Sequence, residues 1–498
     1  MNTNMSSDPK ADDIQSRAIL QKIARKALIM RGLLPEFSSQ ALAELAQIKE
    51  PAKINLTAQV RDLRDLLWAS IDNDDSEDLD QLTFAKELSS GKTRILVAVA
   101  DVDALVKKNS AIDRDAAHNT TSIYTAAQIF PMLPLQLSTN LTSLNLNQDR
   151  LAIVVDMTIA PDGSLLESDV YRAAVRNHAK LAYNSVGAWL EGRAPIPQAV
   201  TAIDGLAENL LIQDRTAQKM KSLRHAQGAL SLETIEAKPV FEGERISGLL
   251  AEENNRAKEI IEDFMVAANG VTVRYLTARN IPSIRRVVRI PRRWDRIVEI
   301  AAEHAFKLPK SPSPRKLEMF LTMMKVADPL RFPDLSLAVI KLLGNGEYVA
   351  ELPGEEATGH FALAVKDYTH STAPNRRYPD LITQRLLKAA IEKRPMPYSL
   401  EELEYLAENC TKKEDAVVKV ERQVGKSAAA LLLESRIGER FDAMVTGASE
   451  KGTWVRLLDI PVEGMLKSGS KGLDVGDRVM VELESVDVEQ GFIDFMRR

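Results

Sequence analysis

Five aspartates and one glutamate lie within the nine consecutive positions 72–80, between two apolar segments. The apolar patterns at 66–71 and 94–100 predict one strand that leads into this acidic loop and another that follows it. The second strand ends at two further aspartates, Asp101 and Asp103. Carboxylates at strand ends suit a hard divalent cation such as Mg²⁺, which takes oxygen ligands and retains several waters.

Within the acidic loop, Asp78 and Asp80 are two positions apart. In an extended chain, side chains at this spacing point to the same side, so both carboxylates can share one metal site. A solvated acidic turn is an equally good interpretation of so many charges in a short loop. From these residues alone, both interpretations stay open.

The composition limits the classes of protein that need to be considered. A chain of 498 residues is too long for one ordinary core, so we expect several domains. The formal net charge of -5 gives no general argument for binding nucleic acid, and a single cysteine, Cys410, excludes both an internal disulfide and a cysteine-rich zinc ribbon. There is no apolar signal core near the N-terminus and no run suited to a bilayer span. We expect a soluble cytoplasmic protein that has no membrane partner.

Hydrophobic periodicity divides the chain into three parts. Residues 1–60 predict a small helical module, with a winged helix as one form of it, suited either to nucleic-acid binding or to packing between domains. Residues 61–434 predict a mixed α/β domain with helices at 181–190, 202–229 and 254–276. Residues 435–498 show five short strands with glycine turns, which indicates a small antiparallel barrel. We predict those strands at 441–446, 452–457, 462–466, 477–485 and 491–495.

A second polar cluster covers residues 370–381, where prolines flank the adjacent arginines Arg376 and Arg377. Two guanidinium groups held in this way offer rigid forks for phosphate oxygens. The alternative is an arginine–aspartate pair at the start of a helix predicted over 379–391. Together with the acidic loop, the arginines point to phosphoryl-transfer chemistry. The basic run 285–293 is either a track for a phosphate backbone or a solvated charged segment.

Several of these segments, in this order, resemble the ribonuclease II/ribonuclease R (RNB-domain) exoribonuclease family. The resemblance covers nearly everything after residue 60, and the C-terminal barrel is similar to the OB-fold RNA-binding domain that ends these enzymes. It therefore implies an α+β multidomain protein with an N-terminal helical module, a central RNB-type catalytic domain and an OB-fold barrel. The segments that carry it are 62–66, 71–80, 124–138, 179–183, 255–265, 360–361 and 372–381.

The resemblance implies a 3′→5′ exoribonuclease that depends on Mg²⁺, with Mn²⁺ as an alternative ion, and degrades single-stranded RNA processively to 5′-nucleoside monophosphates. We expect a monomer whose partner is single-stranded RNA. Stacking on aromatic side chains tolerates any base sequence, as such an enzyme requires. Matched position by position, the metal ligands are Asp72, Asp78 and Asp80, the catalytic residues are Asp80 and Arg376, and the RNA-binding residues are Tyr124, Tyr183, Arg376 and Arg377.

This sequence departs from the family pattern at four places. Gln81 stands where a second consecutive aspartate is common, and no second base-stacking aromatic is evident near 281–284. The arginine motif has Asn375 where isoleucine is usual, and Gln384 replaces a usual histidine. Residues 1–60 are too short for two cold-shock barrels. An RNA-binding protein with the same architecture but impaired catalysis is therefore the alternative hypothesis, and a DNA nuclease is a weaker third.

Overall fold

The computed structural model describes residues 16–234, 237–251, 254–449, 452–473 and 475–498. Its N-terminal part contains helices α1 (Ser16–Met30) and α2 (Ser39–Leu45). Ser38 begins α2, because its side chain accepts a hydrogen bond from the N–H of Ala41. The helical module is thus confirmed, and residues 16–59 contain no β-hairpin of the kind that forms the wing of a winged helix.

A seven-stranded mixed sheet forms the centre of the next domain, in the order β1-β8-β7-β4-β3-β2-β9. The central strand β4 is almost uniformly apolar because it is buried on both faces. The strand predicted at 66–71 corresponds to β2, which begins later than predicted because residues 63–68 form tight turns. Sequence patterning also missed β3, which begins directly after the acidic loop. The strands are β1 (Val60–Asp62), β2 (Ala69–Asp72), β3 (Gln81–Glu87), β4 (Thr93–Ala100), β7 (Asp149–Ile159), β8 (Leu165–Arg176) and β9 (Ala179–Ala182).

Between β4 and β7 the chain forms α3 (Ala111–Asn119) and a small hairpin of β5 (Ile123–Tyr124) and β6 (Ile129–Phe130). Four helices follow or flank the sheet, and the last of them, α7, packs Phe264 and Ala268 into the sheet core. Asn255 fixes the start of α7 by accepting hydrogen bonds from two N–H groups of its first turn. These helices and the hairpin that precedes α7 are α4 (Tyr183–Leu190), α5 (Gln198–Thr201), α6 (Leu206–Gln227), β10 (Ala237–Glu242), β11 (Arg245–Ala251) and α7 (Arg256–Thr277).

The basic run 285–293 lies in a smaller unit made of a two-stranded sheet and three helices. Arg285 is buried, Arg286 forms an ion pair with Glu414 at 2.5 Å, and Arg289 pairs with Glu347. Three of these arginines are therefore either buried or paired with a glutamate, which weakens the interpretation of the run as a phosphate track. The unit consists of β12 (Ser283–Val287), α8 (Trp294–Glu303), α9 (Pro314–Ala327), α10 (Phe332–Leu343) and β13 (Glu347–Glu351).

Two helices, α11 (Tyr378–Ile391) and α12 (Leu400–Leu433), connect this part to the C-terminal barrel. The predicted barrel is confirmed as a closed structure in the order β14-β15-β16-β18-β17, with Val455 and Phe495 in its core. It is not wholly antiparallel as predicted, because β16 and β18 pair in parallel. Arg456 joins the barrel to α10 through a bidentate pair with Asp334 at 2.5 and 3.0 Å. The barrel strands are β14 (Arg440–Ser449), β15 (Gly452–Leu457), β16 (Glu463–Ser468), β17 (Arg478–Asp487) and β18 (Phe492–Arg497).

Among the helices of these described ranges, none combines the length and apolar character that a bilayer span requires.

Candidate active site

The acidic loop joins β2 to β3 and is tied to the sheet domain near its C-terminal end. The backbone N–H of Leu79 donates to Ser143 Oγ at 2.9 Å, and the carbonyl of Leu79 accepts from the N–H of Leu144. Leu79 is buried in the apolar core. Its neighbours Asp78 and Asp80 therefore share the opposite side of the chain, as their spacing predicts.

Asp80 is almost completely buried and only half satisfied. Its Oδ1 accepts a hydrogen bond from the backbone N–H of Asn375 at 2.9 Å. Its Oδ2 has no hydrogen-bond partner among the described residues, and the nearest cation is Arg376, with Nε at 3.5 Å. Burial raises the pKa of Asp80 to about 7, against the lowering influence of Arg376 and with a further rise from Asp78. An unpaired buried oxygen in this position requires a partner that carries positive charge or a proton.

The loop before α11 presents Arg376 to these carboxylates. The carbonyl of Arg376 accepts hydrogen bonds from the N–H of Ser122 at 2.9 Å and from Thr121 Oγ1 at 3.0 Å, so the backbone is fixed from the β5 side. The side chain keeps 40% of its surface exposed. A guanidinium that is held at its backbone but makes only a loose contact with Asp80 is available to a phosphate group.

Arg377 has a different environment from its neighbour. Its guanidinium donates to Asp380 Oδ1 at 2.7 Å, and the same oxygen accepts from the N–H of Ala373. This is the arginine–aspartate pair at a helix start that the sequence offered as the alternative to a phosphate contact. A direct contact of Arg377 with RNA remains a prediction.

The two tyrosines flank the carboxylates. Tyr124, on β5, is 43% exposed, and its hydroxyl lies 3.5 Å from Asp78 Oδ2. Tyr183 begins α4 directly after Ala182, whose backbone is paired with Asp72 in the parallel register of β9 and β2. Sequence reasoning missed Glu421 of α12, which accepts a hydrogen bond from the N–H of Tyr124 at 2.8 Å. No spacing signal links two residues almost 300 positions apart.

The structure shows the surroundings of three residues at which this chain departs from the family pattern. Gln81 opens β3, pairs with Val99 and is buried, and its side chain leaves the strand on the opposite side from that of Asp80. Gln384 donates to the carbonyl of Ala100 at 2.7 Å and accepts from the N–H of Asp103 at 3.0 Å, which is a structural role. Asn375 holds Asp80 through its backbone, and its side-chain oxygen lies 2.5 Å from Thr142 Oγ1.

The other acidic pair predicted at a strand end is neutralised by cations. Lys388 Nζ lies 2.7 Å from both Asp101 Oδ1 and Asp103 Oδ2, and Arg385 also contacts Asp103. Burial alone raises the pKa of Asp101, but Lys388 and Arg172 bring it below its ordinary value. The expectation that these strand-end carboxylates bind a metal cation is therefore wrong, because lysine and arginine side chains already form ion pairs with them.

The carboxylates of the acidic loop do suit a divalent cation. In the part of the chain that the structure describes, no group of three or more histidine, cysteine, aspartate or glutamate side chains is arranged so that it could hold a metal ion. Mg²⁺ does not need one, because it keeps several waters and is held by one or two carboxylates together with substrate phosphates. Asp80 Oδ2 has the unpaired character of such a ligand. Burial raises the pKa of Asp78 against the opposing influence of Arg376, and the nearby charge of Asp72 raises it further.

We expect the burial of the Asp80 carboxylate to make the unfolding free energy of the metal-free protein depend on pH. The folded pKa of Asp80 is about 7 and its ordinary value is 3.8, so the native state holds the proton more tightly than the unfolded chain. The unfolding free energy should therefore fall as pH rises from 5 to 8, by about 2–3 kcal/mol from this group. Urea unfolding in EDTA, compared between wild type and Asp80→Asn, isolates the contribution. The variant should be the more stable protein at pH 8, and parallel pH curves would contradict the assignment.

The chain combines a mixed sheet, which carries carboxylates and an arginine near the ends of β2 and β3, with a small closed barrel. The RNB domain matches residues 60–393, and the C-terminal S1 domain of RNase II-type exonucleases matches residues 439–498. The chain belongs to the RNB domain family.

Relatives of known name agree with this assignment. Ribonuclease R of Escherichia coli K12 is 29% identical over 93% of this chain and 60% of its own length. Ribonuclease R of Thermotoga maritima is 27% identical over 94% of this chain and 70% of its own length. The structure of Mycoplasma genitalium RNase R in complex with ribose methylated single-stranded RNA matches with a TM-score of 0.86 at 23% identity, over 97% of this chain and 78% of that one. The chain spans about 60% of the length of the first of these relatives.

Proposed function

We propose that this protein is a divalent-metal-dependent 3′→5′ exoribonuclease that degrades single-stranded RNA processively to 5′-nucleoside monophosphates. The observation that carries the proposal is Asp80, a buried carboxylate with one unpaired oxygen, set between Asp78 and Arg376. A buried acid with a strongly raised pKa beside a positioned arginine indicates a catalytic centre more than a structural ion pair. Ribonuclease R relatives and the match to the RNB domain support the reaction class.

Each residue of the centre has a role that its contacts support. Asp72, Asp78 and Asp80 hold Mg²⁺ or Mn²⁺, which supplies a more acidic water and neutralises phosphate charge. Arg376 places its guanidinium on the scissile phosphate, where it stabilises the charge that develops during in-line displacement. The backbone N–H of Asn375 fixes the orientation of the Asp80 carboxylate.

Tyr124 and Tyr183 contribute to binding. The exposed ring of Tyr124 stacks on the 3′-terminal base, and its backbone is held by Glu421. Stacking is worth roughly 1–3 kcal/mol per base and does not depend on base identity. Tyr183 lies beside the strand of Asp72 and lines the end of the RNA path. We further propose that the protein acts as a monomer in the cytoplasm.

The decisive experiment uses single-stranded RNA labelled at either the 5′ or the 3′ end, incubated with Mg²⁺ or with EDTA. With Mg²⁺, the 3′ label should be released as a mononucleotide, and the 5′ label should pass from full-length RNA to a short end product without fragments of intermediate length, as processive 3′→5′ degradation requires. EDTA should abolish both products. Single-stranded DNA of the same sequence is the matched control for the 2′-hydroxyl and should remain intact.

Two other outcomes would identify the alternatives. Tight RNA binding without any product in Mg²⁺ or Mn²⁺ would identify an RNA-binding protein with impaired catalysis. Equal degradation of the DNA control would identify a nuclease that does not require the 2′-hydroxyl.

A further inference from the structure

A cavity of about 990 Å³ lies between the C-terminal part of α11 and the chain that connects α2 to β1. Its volume is near the upper end of the roughly 300–1,000 Å³ that is usual for small-molecule sites. None of the seven predicted site residues is among the described residues that line it. We call residues 49–56 the linker segment and the cavity beside them the linker cavity.

The linker segment is held by hydrogen bonds only at its two ends. Before it, Glu44 Oε2 accepts hydrogen bonds from two N–H groups at the start of α3, at 2.6 and 3.3 Å. After it, β1 pairs with β8 in the sheet. Within the described ranges, residues 49–56 form no hydrogen bond and no ion pair with the rest of the chain. Lys49 and Lys53, which line the cavity from this segment, therefore have no protein partner there.

The walls of the linker cavity carry an excess of positive charge. Among the described residues on them, eight are basic and three are acidic. Lys49, Lys53 and Lys107 have no ion pair in the same ranges, and Glu50 is the one lining carboxylate without a pair. Unpaired positive charge thus remains, and it favours an anion that carries at least two charges. The basic residues that do form ion pairs are Lys108, Arg172, Arg385, Lys388 and Arg394.

Lys107 lies on the sheet-domain side of the cavity. Its Nζ donates to the carbonyl of Asp103 at 2.5 Å. Partial burial, followed by repulsion from Lys388, lowers the pKa of Lys107. Asp103 and Asp101 oppose this lowering, and Arg172 adds to it. Cations held this close to one another repel, so an anion placed among them is stabilised.

The linker cavity also has an apolar lining. Ile48, Leu105 and Leu151 line it, and each of them is only partly buried. Gln47 lines it as well, and its side-chain amide, which can both donate and accept, has no hydrogen-bond partner within the described ranges. Apolar side chains, a free amide and unpaired lysines together suit a ligand that has a base, a sugar and phosphate groups.

The linker cavity is near the active site but separate from it. The N–H of Ala100 donates to the carbonyl of Asp80 at 2.9 Å, and the next residue, Asp101, forms an ion pair with the cavity-lining Lys388. Along α11, Asp380 at the active-site end and Lys388 are separated by about 12 Å. Buried ion pairs therefore lie between the two sites, and a molecule in the cavity does not contact Asp80.

We propose that the linker cavity binds a nucleoside di- or triphosphate. Its phosphates lie between Lys49 and Lys53 of the linker segment and Lys107 of the sheet domain, and its base and ribose pack against Leu105 and Leu151. The ligand thus joins the linker segment to the sheet domain where protein hydrogen bonds do not. Binding takes no part in hydrolysis, so the proposal stands or falls independently of the proposed function.

The test is calorimetric titration of the full chain with ATP at low salt in EDTA, so that no divalent cation carries the phosphates to the active-site carboxylates. Lys49→Gln/Lys53→Gln should weaken ATP binding by at least about 10-fold, because charge-assisted hydrogen bonds are lost. Lys107→Gln, on the other side of the cavity, should weaken it by about 5-fold or more. Wild-type affinity in the double variant would overturn the proposal.

Lys86→Gln/Lys92→Gln is the matched control for the double variant. Both lysines are exposed, and they lie toward the far end of the β3–β4 hairpin from Ala100. The control removes the same charge and should bind ATP as wild type does. An equal loss in the control would show that ATP responds only to the total charge of the protein, and would overturn the proposal.

Related compounds separate the parts of the ligand. AMP should bind at least about 10-fold more weakly than ATP, since it brings two fewer phosphates. Tripolyphosphate should bind about 5-fold more weakly or worse, because it has no base or ribose to pack on the apolar lining. Equal affinity for ATP and tripolyphosphate would identify a site for inorganic polyphosphate and overturn the nucleoside assignment. Displacement of ATP by oligouridylate would place the cavity on the RNA path and overturn the proposal.

Partial digestion with trypsin locates the bound ligand. ATP at about ten times its Kd leaves roughly one molecule in eleven free, so cleavage after Lys49 and Lys53 should slow by about 10-fold. Cleavage after Lys92, at an exposed position between β3 and β4, should keep its rate. ATP binding that left cleavage of the linker segment unchanged would place the ligand elsewhere and overturn the proposal.

Discussion

Replacing Asp80 with asparagine should lower kcat on single-stranded RNA by roughly 10²- to 10⁴-fold while the protein stays folded and still binds RNA. Asparagine keeps an Oδ1 that accepts the N–H of Asn375, so the local backbone is preserved. It removes the negative charge from Oδ2, the buried oxygen that has no hydrogen-bond partner among the described residues and only a 3.5 Å contact with Arg376. The loss should therefore fall on catalysis and metal affinity, and not on the fold.

Two measurements complete this prediction. Isothermal titration with Mn²⁺ should show a weakened site in Asp80→Asn, and RNA affinity in EDTA should change little. Asp75→Asn is the matched control, because Asp75 is an exposed member of the same loop, and it should retain wild-type kcat and metal affinity. If Asp75→Asn were as damaging as Asp80→Asn, the loop would act through its total charge and Asp80 would have no special place.

Replacing Lys388 with methionine should destabilise the protein by roughly 3–5 kcal/mol, the usual cost of leaving a buried charge without its partner. Lys388 is the cation shared by Asp101 and Asp103, and all three side chains are buried. Arg172 and Arg385 remain, but they cannot supply the position between the two carboxylates. Urea unfolding followed by tryptophan fluorescence should show the loss, since Trp68 is fully buried in the same sheet domain.

Lys412→Met is the control for loss of a lysine in an ion pair, because Lys412 and Glu408 form an exposed pair on α12. Its cost should be below about 1 kcal/mol. The double variant Lys388→Met/Asp101→Asn should recover part of the stability by removing one of the uncompensated charges. Equal costs for Lys388→Met and Lys412→Met would show that water reaches the strand-end carboxylates.

The sequence was most informative where a pattern is local. The period-two alternation and glycine turns after residue 435 predict the five barrel strands closely, because each strand buries one face in the same small core. The spacing of Asp78 and Asp80 predicts that they share a side, since the intervening Leu79 must enter the core. The order of the collinear motifs implied the RNB family, which the domain matches confirm.

The sequence was least informative where partners are distant in the chain. The sequence does not distinguish Arg376 from Arg377. In the structure Arg377 forms an ion pair with Asp380, whereas Arg376 faces Asp80. Asp101 and Asp103 look as suitable for a metal as Asp78 and Asp80, and only a lysine and an arginine almost 300 residues away distinguish the two pairs. Strand β3 was missed because its polar first residue, Gln81, extends the acidic loop in the sequence. The roles in catalysis, metal binding and RNA binding remain predictions for all of the site residues, which are Asp72, Asp78, Asp80, Tyr124, Tyr183, Arg376 and Arg377.

The 34-residue helix α12 touches three regions that would otherwise be free to move independently. Within six residues it holds the Tyr124 backbone through Glu421 and supports the barrel turn, between β17 and β18, through Lys426. The axial rise between those two positions is about 7.5 Å, and each residue adds about 100° of rotation. The helix thus fixes both the distance between the barrel turn and Tyr124 along its axis and their relative orientation about that axis. Inserting one residue between 421 and 426 would turn the barrel by more than a quarter circle about the axis of α12, relative to Tyr124.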